Sequence, residues 1–307
     1  MLCIAIILIC GAASVFMLHY ALTPPHRGFN IEESYTDMYK RYPFLLHWVD
    51  SLNKAQALKD TVIINREGKQ LHALYVDAAE PSPNTALLIH GYTDNAIRML
   101  MIGYLYNHDL HYNILLPDLQ FHGESEGDAI QMGWKDRLDM EEWRDLIINK
   151  YGEETAIVVH GISMGAATTM MMSGERQPQQ LKCFIADCGY TSVWDEFEQE
   201  LKVRFGLPSF PVMNLCSKLC QLKYGWNFKE ASALKAVSEC SLPMFFIHGD
   251  ADTFVPTWMA YPLYQAKPEP KKLWIVPGVE HADAYFCQKE EYTKRVKEFI
   301  SPYMNTN

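Results

Sequence analysis

Val158-Val159-His160-Gly161-Ile162-Ser163-Met164-Gly165 is the stretch on which the reading of this chain turns. The apolar run from Ala156 to Val159 enters it, and a run of small residues from Ala166 to Met172 leaves it. This is the pattern of a buried strand, a sharp turn and the start of a helix, with Ser163 at the apex. Gly161 and Gly165 suit such a turn, because it brings backbones closer than a Cβ allows. The outcome is one hydroxyl raised above a sheet edge, over a helix N-terminus. A five-residue glycine-serine pattern is short, so its weight comes from the flanking elements and from partners farther along.

A serine hydroxyl is a poor nucleophile at neutral pH and needs a positioned base, itself held by an acid. The candidate base is His281, in Pro277-Gly278-Val279-Glu280-His281-Ala282-Asp283, just after the apolar run Lys272 to Val276. The candidate acid is Asp252, in His248-Gly249-Asp250-Ala251-Asp252-Thr253-Phe254-Val255-Pro256, after the run Met244 to Ile247. Asp250 and Asp187 are alternative acids, since each also follows an apolar run. Serine, acid, histidine is one known chain order for this triad. An oxyanion formed on attack needs two backbone donors. Met164, directly after the serine, and Tyr92, after His90-Gly91, are the candidates.

Working outward, further short apolar runs lie at Leu71 to Val76, Thr85 to Ile89, Asn113 to Leu116 and Lys182 to Ala186. Helical stretches fall between them, at Ala96 to Asn107, Asp136 to Tyr151 and Lys289 to Tyr303. Continuous apolar strands alternating with helices mean a mostly parallel sheet covered on both faces, with its reactive loops at the strands' carboxyl ends. Each candidate falls at such an end. Length and composition agree with a large core, at 307 residues and 49% hydrophobic. A net charge of −10 argues against nucleic acid or an anionic lipid surface as the main partner. The eight cysteines form no CxxC pair and show no zinc spacing. Cys216 and Cys220 share a helix face, either as buried thiols or as a metal or redox pair.

The residues quoted above, in the order His90-Gly91-Tyr92, Pro117-Asp118 with His122-Gly123-Glu124-Ser125, the turn at 161–165, His248 to Pro256 and Gly278 to His281, resemble the α/β-hydrolase superfamily. The likeness is nearest to bacterial esterases similar to the serine aminopeptidase and prolyl-oligopeptidase-like branches, and covers roughly residues 60–303. It implies an α/β-hydrolase fold with Ser163 as nucleophile, Asp252 as acid, His281 as base, and Tyr92 and Met164 as oxyanion donors. It implies no cofactor and no metal. Asp118 and His122 are expected to shape a loop, and His160 and His248 to pack.

The sheet rhythm stops between Cys188 and Leu242, which predicts a helical cap at about 189–242 inside a hydrolase domain of residues 60–307. Trp194, Phe197, Phe205, Phe210, Trp226 and Phe228 supply its apolar inventory. Glu196, Glu198 and Glu200 are either a solvated face or a site for a peptide's free amine. Ahead of the domain, residues 23–59 read as a linker and a lead-in helix. Met1 to Leu22 is apolar and uncharged almost throughout, and about twenty such residues span a bilayer. A membrane anchor is expected there, with a cleaved signal and a secreted or periplasmic protein as the alternative, and an artefactual or buried start as the third reading. The function expected is a serine hydrolase acting on a small ester or acyl substrate. A serine aminopeptidase and a non-catalytic binding protein of the same fold are the other readings.

Overall fold

The computed structural model describes residues 2–24 and 30–304, the side chains of 2–9 excepted. Eight strands form one sheet: β1 (Leu58–Ile64), β2 (Gln70–Val76), β3 (Asn84–Ile89), β4 (Asn113–Pro117), β5 (Ala156–Ile162), β6 (Leu181–Asp187), β7 (Met244–Gly249) and β8 (Lys271–Val276). Their order is β1-β2-β4-β3-β5-β6-β7-β8. The first hairpin is antiparallel and β2 meets β4 antiparallel. From β4 to β8 every pairing is parallel. The chain is an α/β hydrolase in fold, as the sequence led one to expect.

Side chains alternate between two apolar layers, as a pleated sheet buried on both faces requires. Leu87, Ile89, Ile157 and Val159 join one layer, with α5 (Asp136–Tyr151), α6 (Met164–Ser173) and α9 (Ala233–Glu239). Ala86, Leu88, Val158 and Phe245 join the other, with α2 (Ile31–Arg41), α3 (Leu45–Lys54), α4 (Leu100–Tyr104) and α12 (Lys289–Ile300). Two shorter helices, α10 (Ala260–Ala266) and α11 (Ala284–Cys287), flank β8 in sequence. The single helix expected over Ala96 to Asn107 is broken up. It begins as turns, runs as α4, and ends in a widened π-helical turn, Leu105–Asp109. That turn carries Asn107 to where its amide donates to Tyr112 O at 2.9 Å.

The cap is made of α7 (Val193–Phe205) and α8 (Val212–Tyr224), followed by α9. Ser192 caps α7 by accepting from Asp195 N, and the left-handed Gly206 ends it. Trp226 and Phe228 are buried, while Phe210 is left 76% exposed.

The apolar N-terminus has partners in the domain that its sequence alone does not reveal. Among the described residues no helix is long and apolar enough to cross a membrane. The described half of α1 (Leu2–Leu22) packs on the domain: Leu18 and Leu22 are buried in the main apolar layer. Leu22 O accepts from Ile130 N at 2.8 Å, Ala21 O from the Tyr92 hydroxyl at 2.8 Å, and Ser14 O from Cys216 Sγ at 3.3 Å. The last turns of α1, from Ser14 to Leu22, are thus held against the hydrolase domain. Cleavage after Leu22, the secretory alternative, would remove these contacts. Whatever concerns the side chains of 2–9, and most of the linker Thr23 to Gly28, lies outside the described residues.

Candidate active site

The turn at the end of β5 holds Ser163 at φ 57°, ψ −119°, a conformation costly for a residue with a side chain. Neighbouring structure imposes it. Ser163 N donates to Asp187 O at 2.8 Å, tying the turn to β6. A Cβ on Gly161 would lie 2.0 Å from Gly165 O, and one on Gly165 2.1 Å from Ile89 O. Both glycines are therefore required by contact. The serine lines a cavity of about 580 Å³.

His281 arrives on the loop after β8 and Asp252 on the loop after β7. His281 Nε2 lies 2.8 Å from Ser163 Oγ, and Nδ1 lies 2.7 Å from Asp252 Oδ2. With the proton on Nδ1 donated to Asp252, Nε2 is the acceptor for the serine hydroxyl. Asp252 Oδ1 accepts from Phe254 N and Val255 N, each at 3.0 Å. His248 adds a second imidazole, its Nε2 at 2.8 Å from Val255 O and 3.3 Å from Asp252 Oδ2. Burial pushes the Asp252 carboxyl up, but its hydrogen bonds and charge interactions with His248 and His281 outweigh this and hold it below the ordinary aspartate value. That favours the ionised carboxylate opposite the His281 imidazole.

The alternative acids are placed elsewhere. Asp250 Oδ1 accepts from Gly278 N at 2.6 Å and so pins the two loops together. Asp187 is fully buried and takes the Tyr292 hydroxyl at 2.9 Å, its carboxyl pushed by burial to about 6. His160 lies behind it between Tyr106 and Tyr292, and burial lowers its pKa to about 3. Asp118 and His122 hold the loop beside the cavity. Asp118 accepts from Ala96 N at 2.8 Å and faces His72 Nδ1 at 2.7 Å, while Thr93 N donates to His122 Nε2 at 3.1 Å.

The Met164 amide opens α6 under the serine, and Tyr92 follows β3 on the other side. Among the described residues neither backbone amide donates to a protein acceptor. Gly91 brings the Tyr92 segment close, since a Cβ there would sit 3.3 Å from Ser163 Cβ.

The cavity walls are mainly apolar: Leu18, Ala21, Leu201, Met213, Phe228 and Phe254 are among them. Charged side chains, Glu33, Asp94, Arg98, Glu196, Glu200 and Arg204, line it as well. Glu196 is buried, its Oε2 has no hydrogen-bond partner, and desolvation pushes the carboxyl well above the usual value. It is therefore no part of a solvated face. Sequence reasoning missed three contributors. The C-terminal turns of α1 read as lipid-facing, and α2, which supplies Glu33 and Ser34 to the wall, read as a mere lead-in. The third is His248, whose four-residue spacing to Asp252 was the available signal.

Among the described residues two groups have ligand-type atoms within 4.8 Å of one another, Cys188-Asp252-His281 and Asp60-His72-Glu124. In the first, both nitrogens of His281 already face Ser163 and Asp252. In the second, His72 lies between Asp118 at 2.7 Å and Asp60 at 3.0 Å. The described cysteines are free, and Cys216 and Cys220 are both buried.

Compared with known proteins, residues 120–307 match the model of the prolyl oligopeptidase family, more than half of the chain. The chain belongs to that family. This prolyl oligopeptidase family member is 30% identical over 239 residues to YqkD of Bacillus subtilis, covering 78% of each chain. It is 22% identical over 247 residues to YfhR of Escherichia coli K12, covering 78% of this chain and 79% of that one. Among solved structures it resembles the esterase Pf2001 of Pyrococcus furiosus, with a TM-score of 0.66 and 24% identity over 81% of this chain and 93% of that one. The acylaminoacyl peptidase of Pyrococcus horikoshii gives a TM-score of 0.62 at 14% identity, over 83% of this chain and 43% of that one. Family and fold make the protein a serine hydrolase of the α/β-hydrolase superfamily.

Proposed function

We propose that this hydrolase cleaves carboxylic esters through an acyl-enzyme on Ser163. The observation that carries the reading is the hydrogen-bonded chain Ser163–His281–Asp252 opening into a largely apolar cavity of about 580 Å³. Ser163 Oγ attacks the ester carbonyl carbon as its proton passes to His281 Nε2. Asp252 fixes the imidazole in the accepting tautomer and stabilises the imidazolium that forms. The carbonyl oxygen, now an oxyanion, is received by the amides of Met164 and Tyr92. Collapse expels the alkoxide, which leaves as alcohol with the proton from His281. Water then attacks the acyl-enzyme by the same route, giving the carboxylic acid and restoring the serine.

The apolar walls favour an acyl or aryl group over a charged peptide. A panel of 4-nitrophenyl esters from acetate to palmitate, run beside aminoacyl 4-nitroanilides, tests this. Ester turnover with little anilide turnover is the expected result; anilide turnover alone contradicts it. One observation favours the second reading, an aminopeptidase: the unpartnered Glu196 Oε2 in the cavity wall. In that case Glu196→Gln abolishes anilide turnover and spares the esters. In the ester reading the substitution leaves both profiles within about twofold.

A further inference from the structure

Although the chain carries a net charge of −10, residues 201–229 contain five basic residues, Lys202, Arg204, Lys218, Lys223 and Lys229, and no Asp or Glu. This stretch is the end of α7, the connection to α8, α8 itself and the five residues after it. Apolar side chains are exposed among the basic ones, beside the polar Asn214 and Gln221. Leu215 and Leu222 are 38% and 75% exposed, with Lys218 exposed between them at helical spacing. Phe210, before α8, is 76% exposed. The patch continues onto α1, because Tyr20 meets Phe205 edge-on at 5.7 Å between ring centroids and stacks on Phe16 at 6.2 Å. Phe16 is itself 59% exposed.

Such a surface is costly in water and ordinary monomers avoid it. Two features say what covers it. Exposed aromatic and aliphatic side chains interleaved with Lys202, Lys218 and Lys223 suit the boundary between anionic headgroups and acyl chains, the flanking Glu198 and Glu200 being engaged by Ser209 and Arg204. The patch also borders the cavity: Tyr20, Arg204 and Phe205 are exposed on the surface and line the cavity as well. We propose that this face of the cap seats on an anionic lipid surface, with the cavity wall formed by Tyr20, Arg204 and Phe205 toward the lipid. The contact is peripheral. Side chains of the cap lie in the interface, and the buried turns of α1 stay in the protein. The charge balance of the whole chain argued against such a partner; the local segregation of charge reverses that argument for this face.

The docking does not depend on the serine chemistry and is tested separately from it. The full chain and its Ser163→Ala form are floated with vesicles of phosphatidylcholine alone and of phosphatidylcholine with about a third phosphatidylserine. Both forms are expected to co-float, more strongly with the anionic vesicles and less strongly as salt is raised. Two double variants, Lys218→Glu with Lys223→Glu and Phe210→Glu with Leu222→Glu, are each expected to lower partitioning about tenfold or more. None of these four residues lines the cavity, so turnover of a soluble short-chain ester is expected to persist and to certify the fold. Failure to bind vesicles overturns the proposal. So does equal partitioning of parent and variants, which would put the binding elsewhere in the chain. It also fails if the variants turn a dimer into a monomer without affecting vesicle binding, since a second copy would then be what covers the patch.

Discussion

Leu22 is fully buried at the end of α1, in the same apolar layer as Ile89, Ile130 and Met164. Replacing it with alanine removes three heavy atoms from a close-packed region and leaves a void that the surroundings fill only in part. Leucine-to-alanine changes of this kind cost about 2–5 kcal/mol. A value of about 3 kcal/mol is reasonable here, because α1 is anchored at the same place by backbone hydrogen bonds and has little room to collapse inward. For a protein of this size that corresponds to roughly 6 °C in Tm. Val15, on the same helix but 58% exposed, is the control, and Val15→Ala is expected to stay within about 0.5 kcal/mol of the parent. The assay is urea unfolding of the full chain and both variants, with the transition slope checked for constancy. If Leu22→Ala and Val15→Ala behave alike, α1 is not part of the folded domain, and the cavity loses the wall assigned to it.

Asp252→Asn keeps the shape of the loop but no longer selects the accepting tautomer of His281, and kcat for any ester turned over is expected to fall about 10⁴-fold. Gly165→Ala places a Cβ 2.1 Å from Ile89 O, so the turn must separate from β3; ester turnover is expected to be lost even where circular dichroism shows a folded sheet. Burial lowers the His72 pKa, but hydrogen bonds and charge from Asp118, Asp60 and Glu124 overcome this and raise it from 6.5 to about 9. A folded-state pKa above the unfolded one means a contribution fully present below about pH 6.5 and lost as pH climbs through about 9. Unfolding of metal-free protein is therefore expected to become easier by about 2 kcal/mol over that interval, and His72→Gln should remove the dependence.

Much of the fold was legible because buried parallel strands are nearly pure apolar runs, and β3, β5, β6 and β7 were therefore found within a few residues. The triad candidates could be named because each closes a strand at the sheet's carboxyl edge, where the topology alone brings them together. Between Asp250 and Asp252 the decision was already visible in spacing: two residues farther along the loop suffices to reach across to His281, while Asp250 stays on the turn and binds Gly278 N. The contacts of the N-terminal helix were not legible in the sequence, for a physical reason. An apolar helix looks the same to a bilayer and to a protein interior, and only the partners Ile130, Tyr92 and Cys216, which are remote in sequence, separate the two. Glu196 shows the same limit. Beside Glu198 and Glu200 it reads as a solvated helix face, yet its place on α7 turns it under the cap. The second imidazole on Asp252 was hidden by its position at a strand end, where a histidine before glycine reads as packing.

The account stands most directly on the reactivity of one hydroxyl, and a fluorophosphonate probe reads it. The full chain should be labelled rapidly and stoichiometrically, with the label recovered on the peptide carrying Ser163. Ser163→Ala should take up none, and His281→Ala should label slowly, because the serine then lacks its base. Undiminished labelling of Ser163→Ala, or no labelling of a folded parent chain under any condition that admits the probe to the cavity, would contradict the assignment of this site as a serine nucleophile.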